Sequence, residues 1–195
     1  MVTLSNLQCL KLRRLFNGLS SDRGQSLTAD DFLDVAHRLA AIRGQDGNTS
    51  PYRHMLETQA AWWDKLRRTA GVDYHGRVHF QQWLDFWGYW MAAIDNEAQT
   101  QYNQALNSLK EAGEVTFDMV DVIMDGKVNL SEYSDWYNAL RLTGSPADSF
   151  AILDGDHDGY ILRDEVVRLV VDFYLSSDPD DPSTHLMGVL ELEKE

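Results

Sequence analysis

The chain has 195 residues, 44% of them hydrophobic, and a formal net charge of -14 at pH 7; that suits one large domain or two small ones around a real core. Residues 1–100 hold 11 Lys+Arg against 11 Asp+Glu, whereas residues 101–195 hold 6 against 20. The excess negative charge therefore lies wholly in the second half, where it repels phosphate backbones and anionic lipid and attracts cations, which argues against nucleic acid or a bare membrane surface as partner. The single cysteine, Cys9, permits no internal disulfide and no thiolate metal site, so a metal would have to use oxygen or imidazole. No apolar run approaches the ~18 residues of a membrane span. The opening residues lack the continuous apolar centre of a signal peptide, so a cytosolic chain is expected and the Asn48-Thr49-Ser50 sequon is read as unused.

Apolar periodicity predicts helices nearly throughout and no alternating strand longer than about three residues, so the fold class is all-α. Leu12, Leu15, Phe16 and Leu19 make one helical face, and Phe32, Val35, Ala36 and Leu39 make another beyond a polar gap. The same helix–loop–helix pattern recurs over 52–70 and 83–94, over 99–120 and 133–142, and over 147–153 and 166–174. Breakers fall between the four copies. A turn-rich linker covers 44–51, and Gly144-Ser145-Pro146 opens the fourth copy with Ser145 as N-cap and Pro146 at the first helical position. The expected organisation is a pair of units over 1–95, a second pair over 96–175, and a tail over 176–195 whose Leu186, Met187, Val189 and Leu190 dock on the body.

The chemistry is concentrated in residues 154–165. Calcium is a hard cation that takes about seven oxygens. Asp154, Asp156 and Asp158 alternate so that three carboxylates can converge, the Tyr160 carbonyl adds an oxygen, and Glu165 closes the set with two. Gly159 permits the left-handed turn that wraps the loop, Leu162 leaves a place for water, and Ile161 is positioned to pair with a partner loop. This is the grammar of an EF-hand loop flanked by helices.

Residues 121–132 keep most of it: Asp121, Asp125, the Lys127 carbonyl, Asn129 and Glu132 are the candidate ligands, and Gly126 makes the turn. Ile123 is the defect, since it removes one carboxylate and so lowers the expected affinity. In residues 20–31 the turn position is Gln25 and the closing residue is the shorter Asp31; in residues 71–82 only Asp73 remains and Gln82 closes. These two loops are expected to pair without holding an ion.

Four such units, with Arg14-Leu15-Phe16-Asn17, Trp63-Asp64-Lys65-Leu66, Trp83-Leu84-Asp85-Phe86-Trp87 and the closing 174–178 and 185–190 segments, make the chain resemble the invertebrate sarcoplasmic calcium-binding proteins and calexcitins of the EF-hand superfamily. The resemblance implies two paired halves in one compact body with short loop–loop β contacts, calcium as cofactor with magnesium as competitor, and a cytosolic buffer or sensor. A monomer is expected, with no protein target identified. Trp83, Trp87, Trp90 and Ile94 share one helical face and are expected to be core. The alternative is a calcium-regulated carrier of an apolar or aromatic ligand, as in the coelenterazine-binding proteins and photoproteins of the same scaffold. Residues 166–171 lack the histidine that the photoprotein resemblance would require. No phosphate loop or HExxH is present, so no enzyme activity is expected; Cys9 reads as a buried small hydrophobe and His54 and His75 as surface.

Overall fold

The structure is a computed structural model that describes residues 4–22, 24–44, 49–94 and 99–190. Arg23, linker residues 45–48 and the boundary expected at 95/96 lie outside these. Among the described residues the chain forms eight α-helices, four two- or three-residue strands and one 3-10 turn, the all-α class expected. The helices are α1 (Asn6–Leu19), α2 (Ala29–Ile42), α3 (Ser50–Thr69), α4 (Phe80–Ile94), α5 (Gln99–Val120), α6 (Leu130–Ala139), α7 (Pro146–Leu153) and α8 (Arg163–Leu175). The strands are β1 (Ser26–Leu27), β2 (Val78–His79), β3 (Lys127–Asn129) and β4 (Tyr160–Leu162). None of the described helices is long and apolar enough to cross a membrane.

Helix limits follow local chemistry. Ser5 starts α1 with a capping box: its Oγ accepts the Gln8 N–H at 3.1 Å while its own N–H donates to Gln8 Oε1 at 2.9 Å. Ser145 caps α7 as its sequence suggested, accepting the Asp148 N–H at 3.2 Å ahead of Pro146. Helix α6 stops three residues short of the expected 142. Arg141 turns left-handed (φ 53°), the Leu142 N–H returns to the Tyr137 carbonyl at 3.3 Å and the Arg141 N–H to Asn138, which is a Schellman end built without glycine. Helix α3 begins at Ser50, inside the segment read as linker, because Thr49 caps it and Pro51 occupies its first turn.

The strands join the loops in two antiparallel pairs. Leu27 faces Val78 in one and Val128 faces Ile161 in the other, each of the four being at most 2% exposed. Both predicted faces of the first unit are buried, and Trp83 and Trp87 are core while Trp90 packs half-buried on it; the Ile94 side chain lies outside the described residues. Cys9 is half-buried instead of buried, because it sits beside the apolar stripe of α1. His54 and His75 are exposed, as expected.

The seam between the halves uses polar side chains of α1. Gln8 Nε2 donates to the Tyr174 and Leu175 carbonyls at 3.1 and 3.2 Å, Lys11 Nζ to the Ser176 carbonyl at 2.8 Å, and Arg14 to the Thr143 and Met187 carbonyls. Tyr133 donates to the Leu186 carbonyl at 2.8 Å, and Leu186 and Met187 are buried beneath, whereas Val189, expected to dock with them, is exposed and Leu190 is half-buried. Helices α5 and α8 meet closely at Gly113, where an added Cβ would lie 2.8 Å from Val167 Cα.

Candidate metal centre

One hydrogen bond is common to all four loops. The side chain of the closing residue accepts the backbone N–H three residues before it: Thr28 to Asp31 at 2.8 Å, His79 to Gln82 at 2.9 Å, Asn129 to Glu132 at 3.2 Å and Leu162 to Glu165 at 2.9 Å. The closing residue is the third residue of the outgoing helix, so the position that would close round an ion also caps that helix. Where the loops differ is in the other oxygens.

In the loop of residues 154–165, carboxylate oxygens of Asp154, Asp156 and Asp158 lie within 4.8 Å of one another. Asp154 is buried at 6% exposure; its Oδ2 accepts the Gly159 N–H at 2.9 Å, while its Oδ1 is buried with no hydrogen-bond partner. A buried carboxylate oxygen without a partner is costly unless a cation meets it. Asp156 accepts the Asp158 N–H at 3.3 Å and Asp158 the Tyr160 N–H at 2.9 Å, which folds both side chains inward over the loop. His157 (φ 59°) and Gly159 (φ 88°) are left-handed, the bends that wrap the backbone. A hard divalent cation fits this donor set, all oxygen and rich in carboxylate.

The loop of residues 121–132 has the same backbone, with Met124 (φ 55°) and Gly126 (φ 85°) bent at the matching positions. Its carboxylates, however, are occupied. Asp121 accepts from the Asp125 and Gly126 amides at 3.2 and 3.0 Å, and Glu132 Oε1 from those of Val122 and Ile123 at 3.0 and 3.2 Å. Asn129 is turned away onto the Ser131 and Glu132 amides, and Asp125 accepts from Lys127. Ile123 is 60% exposed. The Asp121 and Glu132 oxygens are thus satisfied by backbone amides.

In residues 20–31 the first loop closes on itself. Asp22 accepts the Ser20 and Ser26 hydroxyls, both at 2.7 Å, and the Gln25 and Ser26 amides at 3.0 Å. Those bonds, led by the Ser26 and then the Ser20 hydroxyl, hold its carboxyl well below the usual carboxylate range. Arg77, from the second loop, reaches Asp22 at 3.3 Å and Ser26 Oγ at 2.9 Å. Sequence reasoning missed this cation, although a charged side chain at a position that normally offers only a carbonyl is a signal. Gly76 in the second loop is not left-handed, and the first loop bends at Gly24 (φ 78°), one place early. In both, the backbone departs from the turn an ion requires.

No family model matches the chain. It is 24% identical to calerythrin from Saccharopolyspora erythraea over 165 residues, 84% of this chain and 90% of the relative. Its fold matches the calcium-loaded apo form of the coelenterazine-binding protein from Renilla muelleri with a TM-score of 0.72 at 17% identity, covering 96% of this chain and 100% of the other. It also matches a sarcoplasmic calcium-binding protein from amphioxus with a TM-score of 0.66 at 19% identity, covering 97% and 100%. With four helix–loop–helix units paired by two short sheets, the chain has the fold of the amphioxus sarcoplasmic calcium-binding protein.

Proposed function

We propose that the protein binds calcium through residues 154–165 and acts as a cytosolic calcium buffer or sensor. The carrying observation is the buried, unpartnered Oδ1 of Asp154 beside the carboxylates of Asp156 and Asp158. Asp154, Asp156 and Asp158 would each give a carboxylate oxygen, Tyr160 its carbonyl and Glu165 both oxygens. Residues 121–132 form the weaker site, through Asp121, Asp125, the Lys127 carbonyl, Asn129 and Glu132, because an ion there must displace amide bonds already made. Magnesium competes but prefers a smaller octahedral set. Calcium titration followed by tryptophan emission separates the two roles: a buffer binds with little spectral change, a sensor with a large one. Asp154→Asn should remove the response in either case, and an unchanged affinity would sink the assignment.

A second reading, a carrier of an apolar ligand, is favoured by a cavity of about 90 Å3 between the halves, lined by Trp62, Trp87, Trp136, Tyr174 and Met187 among others. The fold likeness to a coelenterazine-binding protein supports the same reading.

A further inference from the structure

In the third loop Asp121 and Glu132 are buried, at 7% and 4% exposure, and the bonds they accept come from amides, which carry no net charge. A buried carboxylate is stabilised further by a cation near it. Here the cation comes from the other half of the molecule. Arg43 follows the last residue of α2, in the first pair of units. Its Nη1 donates to the Met119 carbonyl at 2.8 Å and its Nη2 to the Val120 carbonyl at 3.1 Å. These are the last two residues of α5, directly before Asp121. The final carbonyls of a helix have no partner within it and form the negative end of its dipole, so the guanidinium caps α5 from across the molecule.

The same side chain, only 6% exposed, places its Nε 3.8 Å from Asp135 Oδ2 on α6. Burial lowers the Arg43 pKa, and Asp135 and then Glu132 oppose that fall, so its charge is felt by both carboxylates. Arg43 and Asp121 also line one groove. A single guanidinium therefore joins the end of α2 to the incoming and outgoing helices of the third unit. Two neighbouring cations are committed elsewhere: Arg163 pairs with Glu114 and Asp118 at 2.7 and 2.8 Å, and the Lys127 ammonium lies 3.4 Å from the Tyr160 ring centroid. At the matching end of α7, ahead of Asp154, no side chain among the described residues donates to the Ile152 or Leu153 carbonyl. The fourth loop has no such resident charge at its entrance.

We propose that Arg43 is a resident counter-ion of the third loop: its charge lowers the affinity of residues 121–132 for a divalent cation, and an ion bound there loosens its hold on the end of α5. The inference rests on the weaker calcium site proposed above and assigns the residue that sets its affinity. Coupling of this kind is reciprocal, so loading of the third loop is felt at the end of α2 in the first half.

The test is a calorimetric calcium titration of the full chain in a Glu165→Gln background, comparing Arg43 with Arg43→Met and Arg43→Lys. Arg43→Met keeps an unbranched apolar stem and removes the charge, and should raise the affinity of residues 121–132 about three- to tenfold. Arg43→Lys keeps the charge but loses the two-pronged cap, and should stay within about twofold of the parent. A purely structural cap predicts another pattern, in which both variants bind no better than the parent or more weakly; that result would overturn the inference. A second measurement leaves Arg43 in place and so does not depend on how the variants fold. As calcium fills residues 121–132 of the Glu165→Gln protein, exchange of the Arg43 Nε–H proton with water should quicken severalfold, and unchanged exchange would also overturn the inference. Calcium heat without a gain in Arg43→Met would defeat the role of Arg43 alone. Absence of calcium heat in all three proteins would defeat the weaker site and the inference together.

Discussion

The two loop pairs share one frame and differ in what fills it. In the first pair protein groups occupy the place of an ion: Arg77 and two hydroxyls surround Asp22, and Asp31 is committed to the Ser21 and Thr28 amides. In the second pair one loop leaves a buried Asp154 oxygen unmatched, while the other satisfies its carboxylates with amides. The lesson is that pairing and ion binding are separable. Pairing needs the apolar residue at the strand centre and the cap from the closing residue, and all four loops have both. Ion binding needs convergent carboxylates as well, with an oxygen left unmatched as Asp154 Oδ1 is.

The largest test of this separation is Leu27→Ala. Leu27 is fully buried, so its loss should cost about 2–5 kcal/mol, and the cost in chemical denaturation should be similar with calcium and with chelator. A penalty confined to the calcium-loaded protein would mean that the first pair does depend on an ion.

Next is the seam that joins the pairs. Burial pushes Lys11 down to about 8, against the partial opposition of Asp181 and Asp172. Between that pH and the usual lysine value the unfolded chain holds a proton that the folded chain has released, so stability from this group should rise as pH increases across the window. The rise should be of the order of 1–3 kcal/mol and absent in Lys11→Met, as read from denaturation midpoints between pH 7.5 and about 10. Equal slopes in the two proteins would show that Lys11 is not buried as a cation.

Within the second pair, Ile123→Asp returns the missing carboxylate and should raise the calcium affinity of residues 121–132 about tenfold or more, measured calorimetrically in a Glu165→Gln background. No gain would mean that the amide bonds of Glu132, and not Ile123, limit that loop. The smallest effect belongs to Arg77→Ala. Its ion pair with Asp22 is largely exposed, so stability should fall by less than about 1 kcal/mol, with the calcium affinity of residues 154–165 unchanged.

Much of this comparison was legible in the chain. The apolar faces of α1 and α2, the pairing position of Ile161 and the Asp154–Glu165 loop follow from periodicity and spacing, because each is a local pattern with one physical reading. The reach of Arg77 to Asp22, Arg14 to the tail and Gln8 to the end of α8 was not legible, because long polar side chains choose partners far along the chain without a sequence period. Helix α6 ended early for a reason composition hides, since Arg141 takes a left-handed turn usually given to glycine.

The central claim is that residues 154–165 hold calcium, and its most direct test is a calorimetric calcium titration of chelator-stripped protein, with millimolar magnesium present, for the wild type and Glu165→Gln side by side. The expected result is a tight site in the wild type that weakens roughly a hundredfold or more in the variant, since Glu165 is proposed to supply two oxygens. Absence of calcium heat in the wild type, or an unchanged tight site in Glu165→Gln, would contradict the account.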